Sequence, residues 1–418
     1  MAEIKISGGR RLRGEITVSG TKNAVLPELA ALAGMNGTGV IYNCPDITDV
    51  KTSVEIIRYL GGKAELSKGT LYADLNGINS CEIPSEPGCK MRSSIIFCGG
   101  LLGRFGETVF SKPGGCVLGE RPIDLHLYGF KALGAETEET EGLIRVKGRL
   151  KGAKINLRYP SVGATQNIII AACYAKGQTV IENPSLEPET LDLIKFLNTC
   201  GADIKVKNSC IYIEGERTLK PKPYCTMPDR IETGTYLFGA AMTGGKISLR
   251  GISPTELGIV WDILKKTGCE LKYGRDYISL KSIERLKAID EVVVKPYPGF
   301  PTDLQPQLTA MLSIAKGKSI VKETVFEGRN RHICQLLKFG ADIKENEGFI
   351  ITGTEKLKGA DVTAFDLRGG AALCMTALAA EGESRIKNAD YIFRGYENFG
   401  EKISDKGGEI SIINNNRL

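Results

Sequence analysis

The sequence predicts an α/β protein built from six copies of one unit, and three periodic markers carry that prediction. The first is an end-of-helix signal followed by a strand: "LGGKAEL", "LGAETEE", "CGADIKV", "TGCELKY", "FGADIKE" and "KGGEISI". Their leading glycines, Gly61, Gly134, Gly201, Gly268, Gly340 and Gly407, lie 73, 67, 67, 72 and 67 residues apart. A glycine just past a helix takes the left-handed conformation without a Cβ clash, and so stops the helix. The second marker keeps the same beat. Gly37, Gly106, Gly177, Gly244, Gly317 and Gly382 each close an apolar segment rich in small residues, such as "ELAALAGMNG" or "IIIAACYAKG". Ala-rich and uninterrupted over more than about ten residues, these segments read as buried helices rather than strands. The third marker, a leucine and a basic residue ahead of an apolar strand, recurs at Leu150, Leu219, Leu286 and Leu357, and again at Leu12.

Each unit reads strand, helix, strand, helix, strand, strand, an alternation that argues α/β. The sixth unit runs out of chain at Leu418, and the first 20 residues are expected to supply its missing piece, so the termini should meet. Six copies divide into two lobes of three. One lobe is continuous over residues 22–228, with its far border near "MPDR"; the other joins residues 1–21 to 229–418. Two chain crossings between lobes fit a hinged cleft better than an open repeat scaffold.

At 418 residues the chain is long enough for two or three cores. Its net charge of +6 suits small anionic substrates and lacks the dense Lys/Arg clusters that nucleic acid would demand. The opening "MAEIKISGGRR" carries no apolar run after its basic residues, and no window of about 18 apolar residues occurs, so the reading is a cytoplasmic chain with no membrane span. Twelve cysteines occur, but the closest pair is eight apart and no C-x-x-C exists, which argues against zinc ribbons and redox dithiols. His126 and His332 are the only histidines, too few for a His-based metal site or a Ser-His-Asp triad. No metal and no organic cofactor is expected. "AKGKS" ends like a phosphate loop, but Leu312 stands where the first glycine is required; in "CGGLLG", Cys98 stands where a dinucleotide fingerprint needs glycine.

A polar or charged group precedes the apolar helix of every unit: "SGTKNAVL", "CKMRSSII", "YPSVGATQN", "MPDRIETG", "FPTDLQPQ" and "FDLRGGAAL". Helix starts expose unpaired N–H groups and the positive end of the dipole, which favour anions. Such residues also serve as plain caps, and only their repetition argues for a site. Lys22 follows Gly20 and Thr21 at the predicted crossing, where its ammonium can meet a phosphate. Arg92 opens an otherwise apolar helix and needs an anionic partner. Asp303, framed by Pro301 and Thr302, is the carboxylate of most interest. The segment "SKPGGCVLGERPIDLH", residues 111–126, holds three glycines in six residues around Cys116, and Lys112 and Arg121 favour its thiolate. It reads as a lid that carries an acid–base group.

With those residues in place, the chain resembles the UDP-N-acetylglucosamine enolpyruvyl transferases of the enolpyruvyl transferase family over its whole length. The resemblance rests on "SGTKNAVLPELAAL", "MRSSI", "GGCVLGERPIDLH", "SVGAT", "PDRIETGT", "FPTDLQPQ", "ETVFEGR", "DLRGGAAL" and "RGYE", in the family's order. It implies an inside-out α/β barrel in two lobes, with the active site between them. It implies transfer of the enolpyruvyl group of phosphoenolpyruvate to the 3-hydroxyl of UDP-N-acetylglucosamine, the first committed step of peptidoglycan synthesis, by addition and elimination. Cys116 is implied to be the proton donor and the atom alkylated by fosfomycin, and Asp303 to take the sugar proton. Lys22, Arg121 and Arg394 are implied to surround the phosphate of phosphoenolpyruvate, with Arg92 near it. The nucleotide sugar is implied to lie on Asn23, Arg121, Pro122, Ile123, Asp124, Leu125, Ser161, Val162, Gly163, Asp303 and Val325. Tyr159 stands where some relatives have lysine, and Gly369 where alanine is common. The rival readings are a 5-enolpyruvylshikimate-3-phosphate synthase and a non-catalytic nucleotide-sugar binder; the cysteine loop argues against the first, and the presence of Cys116, Asp303 and Lys22 against the second. The oligomeric state is open, with a monomer as the default.

Overall fold

A computed structural model describes residues 1–112 and 122–414. The chain divides into two compact units: Met1–Ser19 with Pro228–Leu418, and the intervening chain from Gly20 to Met227. Each is described by itself.

The helices that matter below are α1 (Lys22–Ala33), α2 (Thr48–Tyr59), α3 (Phe97–Phe105), α4 (Asp124–Ala132), α5 (Val162–Ala172), α6 (Pro188–Thr199), α7 (Arg230–Met242), α8 (Gln305–Leu312), α9 (Leu367–Ala379) and the short α10 (Asp390–Phe393). In the Gly20–Met227 unit, α1, α3 and α5 pack on one another at the centre; in the other unit α7, α8 and α9 do the same. These central helices are apolar on nearly every face, so they are stable only when surrounded. Leu29, Ala30 and Leu32 in α1, Ile168 to Ala172 in α5 and Leu373 to Met375 in α9 are buried accordingly.

Around each central trio stand three small sheets. Their pattern is a short edge strand parallel to the next, then an antiparallel hairpin, as in Glu291–Val294, Lys318–Glu323, Gly348–Thr352 and Asp342–Asn346. Only the sheet of the second repeat departs from it, having three strands, Glu107–Ser111, Leu143–Lys147 and Glu136–Thr140, with the bridge from Glu82 to Val109 in place of the edge strand. Among the described residues no sheet closes on itself.

The twelve marker glycines do what the spacing predicts. The first series has φ between 88° and 108°, the second between 64° and 119°, all in the left-handed region.

The termini meet, with a division of labour the sequence did not reveal. Ala2–Ser7 lies inside the sixth sheet, antiparallel to both Glu383–Lys387 and Glu409–Asn414. Arg13–Thr17, expected in the same sheet, instead runs parallel to Lys246–Arg250 as the edge strand of the fourth. Tyr224–Cys225 is the corresponding edge strand of the first sheet, parallel to Ile41–Tyr42. The leucine marker at Leu12 and Leu219 therefore tags an edge strand in each case, displaced to another repeat.

Candidate active site

In the unit completed by the C-terminal chain, the site is built on the starts of α8 and α9. Asp303 lies in a 3-10 turn, Thr302–Leu304, immediately before α8. Its carboxylate caps no helix; two guanidinium groups hold it instead. Arg329 Nη1 donates to Oδ1 at 2.9 Å, and Arg368 donates to Oδ2 from Nε at 3.2 Å and from Nη2 at 3.1 Å. Both arginine side chains are almost fully buried, at 4% and 3% exposure, while Asp303 keeps 24%. Burial alone would raise the Asp303 pKa; the charges of Arg368 and then Arg329, with their hydrogen bonds, outweigh it and hold the group far below the usual carboxylate range.

The clamp is itself supported. Arg329 Nη1 also donates to Thr302 Oγ1, and that hydroxyl donates to Glu323 Oε2 at 2.8 Å. The other oxygen of Glu323 accepts the amides of Val325 and Phe326, so Val325 and Asp303 are tied to one carboxylate. Asp366 caps α9 through the amides of Arg368 and Gly369, and the Arg368 guanidinium lies 5.3 Å from the centre of the Tyr396 ring. Arg394 closes α10, two residues before that tyrosine. His332 is buried beside the group, with neither ring nitrogen hydrogen-bonded. Burial and then the Arg329 charge pull its pKa down to about 4, against the opposing pull of Asp366.

In the Gly20–Met227 unit, Lys22 is the first residue of α1, and its ammonium pairs with Asp49 Oδ2 at 2.5 Å, with 13% and 3% of the two side chains exposed. Asn23 follows it in the first turn. Arg92 opens a 3-10 turn, Arg92–Ile96, that leads into α3, and its Nη2 donates to the carbonyl of Pro122 at 3.0 Å. Ile123 and Leu125 flank Asp124, the first residue of α4, whose Oδ2 pairs with Arg158.

Ser161 caps α5 by accepting the Ala164 amide, and Val162 and Gly163 form the first turn. A Cβ on Gly163 would come within 3.3 Å of His126 Cε1, so only a glycine leaves that turn open above the imidazole. His126 Nδ1 lies 3.0 Å from Asn167 Nδ2, and Asn167 also donates to the Ile95 carbonyl and accepts the Gly99 amide. One buried asparagine thus ties α3, α4 and α5 together where Arg92, Asp124 and Ser161 to Gly163 emerge.

The predicted residues therefore fall into two groups, Asp303, Val325 and Arg394 in one unit and the others in its counterpart. Cys116 and Arg121 lie outside the described residues. Sequence reading missed Asp49, Arg329, Arg368, Asp366 and Glu323. Four of them sit in quoted motifs or beside them, and the signal available was the repetition of charge at helix starts; the pairing with Asp303 needed coordinates.

Residues 6–403 match the family model described as EPSP synthase (3-phosphoshikimate 1-carboxyvinyltransferase). The chain belongs to the EPSP synthase family. Within this family the chain is 47% identical, over 413 residues, to the UDP-N-acetylglucosamine 1-carboxyvinyltransferase 2 of Caldanaerobacter subterraneus subsp. tengcongensis, covering 98% of this chain and 99% of the relative. It is 43% identical over 417 residues to the UDP-N-acetylglucosamine 1-carboxyvinyltransferase of Dichelobacter nodosus, covering 99% of each. The family fold is also seen in the crystal structure of the enolpyruvyl transferase NikO from Streptomyces tendae, with a TM-score of 0.89 at 24% identity over 98% of both chains. An EPSP synthase from Acinetobacter baumannii gives a TM-score of 0.78 at 22% identity over 99% of this chain and 100% of that one.

Proposed function

We propose that the chain transfers the enolpyruvyl group of phosphoenolpyruvate to the 3-hydroxyl of UDP-N-acetylglucosamine, releasing phosphate and opening peptidoglycan synthesis. The observation that carries this reading is identity of 47% and 43%, over 98% and 99% of the chain, to proteins bearing that name. In this reading the two units are the lobes of an inside-out barrel, working as a monomer in the cytoplasm.

The chemistry needs a proton delivered to C3 of phosphoenolpyruvate and one removed from the sugar hydroxyl. Cys116 is assigned the first task and the site of fosfomycin alkylation. Asp303 is assigned the second, and its clamp defines how it acts. A carboxylate held so firmly ionised is a weak base toward a resting alcohol. It accepts a hydrogen bond, orients the oxygen, and takes the proton only as the new C–O bond makes that hydroxyl acidic.

Lys22, Arg121 and Arg394, with Arg92 near them, are assigned to the phosphate of phosphoenolpyruvate, where fixed cations stabilise developing charge. Asn23, Arg121 to Leu125, Ser161 to Gly163, Asp303 and Val325 are assigned to the nucleotide sugar; the open turn at Gly163 lets backbone amides approach a diphosphate. Phosphate release measured with phosphoenolpyruvate and each acceptor tests the proposal. Release with UDP-N-acetylglucosamine is expected, and release only with shikimate 3-phosphate would overturn it.

A further inference from the structure

Glu28 sits in the middle of α1 with no exposed surface, the one charged residue of the helix after Lys22. Its Oε2 accepts from Thr226 Oγ1 at 2.6 Å, while Oε1 receives no hydrogen bond. Beside it, on α6, which packs against α1, is Asp192, only 4% exposed, with both oxygens engaged: Oδ1 by the Tyr224 hydroxyl at 2.8 Å and Oδ2 by the Met227 amide at 3.1 Å. No lysine or arginine among the described residues pairs with either carboxyl.

The titratable groups that face the pair are Tyr224 and Cys225 on the covering strand and Cys200 just past the end of α6, with the charge of Lys222 acting on Cys200. Two adjacent carboxylates without a counter-ion are untenable in such a place, so one must be neutral. Asp192 has donors on both oxygens and fits the ionised role; Glu28, with one bare oxygen, fits the acid. Burial and then the Asp192 charge push Glu28 well above the usual glutamate range.

We propose that Glu28 holds a proton beside the ionised Asp192, and that this proton helps fasten the segment from Tyr224 to Met227 against α1 and so positions Lys22. The segment is where the chain leaves this unit, since Pro228 belongs to the other. Three of its anchors run through the pair, Tyr224 and Met227 on Asp192 and Thr226 on Glu28, beside its strand pairing with Ile41 and Tyr42 and the Asn43 bond to the Thr226 carbonyl. Met227 in turn accepts the Thr21 amide at 2.9 Å, and Thr21 accepts the Ala24 and Val25 amides that begin α1. Losing the proton sets two like charges against each other behind the strand, loosens Met227, and frees the residue on which the Lys22 turn is built. Glu28 and Asp192 are positioning residues; they touch no substrate. The activity consequence rests on the role proposed for Lys22, whereas the fastening does not.

The sign is fixed by the raised pKa. A carboxyl protonated in the folded state contributes stability that is full below its unfolded value and is lost as pH rises toward the folded value. Amide exchange at Thr21 and Met227, corrected for intrinsic rates, is therefore expected to lose at least tenfold protection between about pH 6 and about pH 9.5. In Glu28→Gln, which keeps a donor and cannot ionise, protection should stay level and the alkaline limb of kcat/KM should move to higher pH. Level protection in the unaltered protein, or the same slope in Glu28→Gln, would overturn the proposal. Should that variant fail to fold, infrared spectra of the unaltered protein decide. A protonated-carboxyl carbonyl band at neutral pH that vanishes at alkaline pH is expected, and its absence at neutral pH would refute the protonated Glu28. The exchange and infrared readouts need no turnover, so they stand or fall independently of the assigned reaction.

Discussion

In Asp303→Asn the side chain keeps its shape and loses its charge, leaving Arg329 and Arg368, 4% and 3% exposed, facing a neutral amide. The amide can accept one guanidinium N–H, but its NH₂ group then confronts the donors of the other. Breaking a buried pair by removing one partner costs about 3–5 kcal/mol, and the partial exposure of Asp303 argues for the lower end, about 3 kcal/mol. For a cooperative body of roughly 200 residues that is a fall of about 6–12 °C in Tm.

Differential scanning calorimetry reads it directly, and the pH dependence adds a second check. A depressed native pKa contributes stability above the unfolded-state value that is lost as pH falls below it. The difference between the two proteins should thus be constant from pH 7 to about pH 5 and fade only below that. A variant as stable as the unaltered protein at pH 7 would refute the clamp, as would a gap already closed at about pH 5. The outcome is informative because removing a carboxylate from an active site often relieves strain, whereas the pairing of the proposed base with two buried guanidinium groups requires the opposite.

Asp49→Asn should lower kcat/KM for phosphoenolpyruvate by about 10- to 100-fold through misplacement of Lys22 while leaving calorimetric UDP-N-acetylglucosamine affinity unchanged; equal loss in both would discredit the pairing. His332→Phe should cost little at pH 7, because neither ring nitrogen is hydrogen-bonded, and should flatten the stability profile on the acid side. A histidine whose native pKa is pulled to about 4 loses stability at up to about 1.4 kcal/mol per pH unit as pH falls from about 6.5. Urea titrations across that window check it, and an unchanged slope would exclude His332 as the source. Cys116→Ser should abolish fosfomycin labelling by intact mass and impair turnover, since the hydroxyl is the poorer nucleophile and acid.

Much of the architecture was legible because its punctuation is backbone chemistry. Every marker glycine occupies a conformation that side chains resist, and such positions are written in sequence one residue at a time. The α/β alternation and the polar helix starts followed from the same periodicity, and Asp229, Ser161 and Asp366 do cap their helices. What could not be read was partnership across long separations. Arg13–Thr17 carries the same apolar pattern whichever parallel neighbour it takes, so nothing local assigns it to the fourth sheet. The Asp303 clamp joins residues 26 and 65 positions away, and a lone aspartate before a helix has the same appearance as a cap. Glu28 was hidden for a related reason. Within "LPELAAL" it passes for the polar side of a helix, and only the absence of any solvent-facing side exposes it as an acid in the interior.

The placement of Ala2–Ser7 as an inner strand bears on how the molecule is made. During synthesis these residues are made well before their two hydrogen-bonding neighbours, Glu383–Lys387 and Glu409–Asn414. The stretch from Gly20 to Met227 holds all the strands of its own three sheets and can settle while translation continues. Ala2–Ser7 must meanwhile wait, with both edges open, until residues 383–414 have been made. Amino-terminal fusions or deletions that delay or remove it should therefore leave one half well formed and the other without its closing stave.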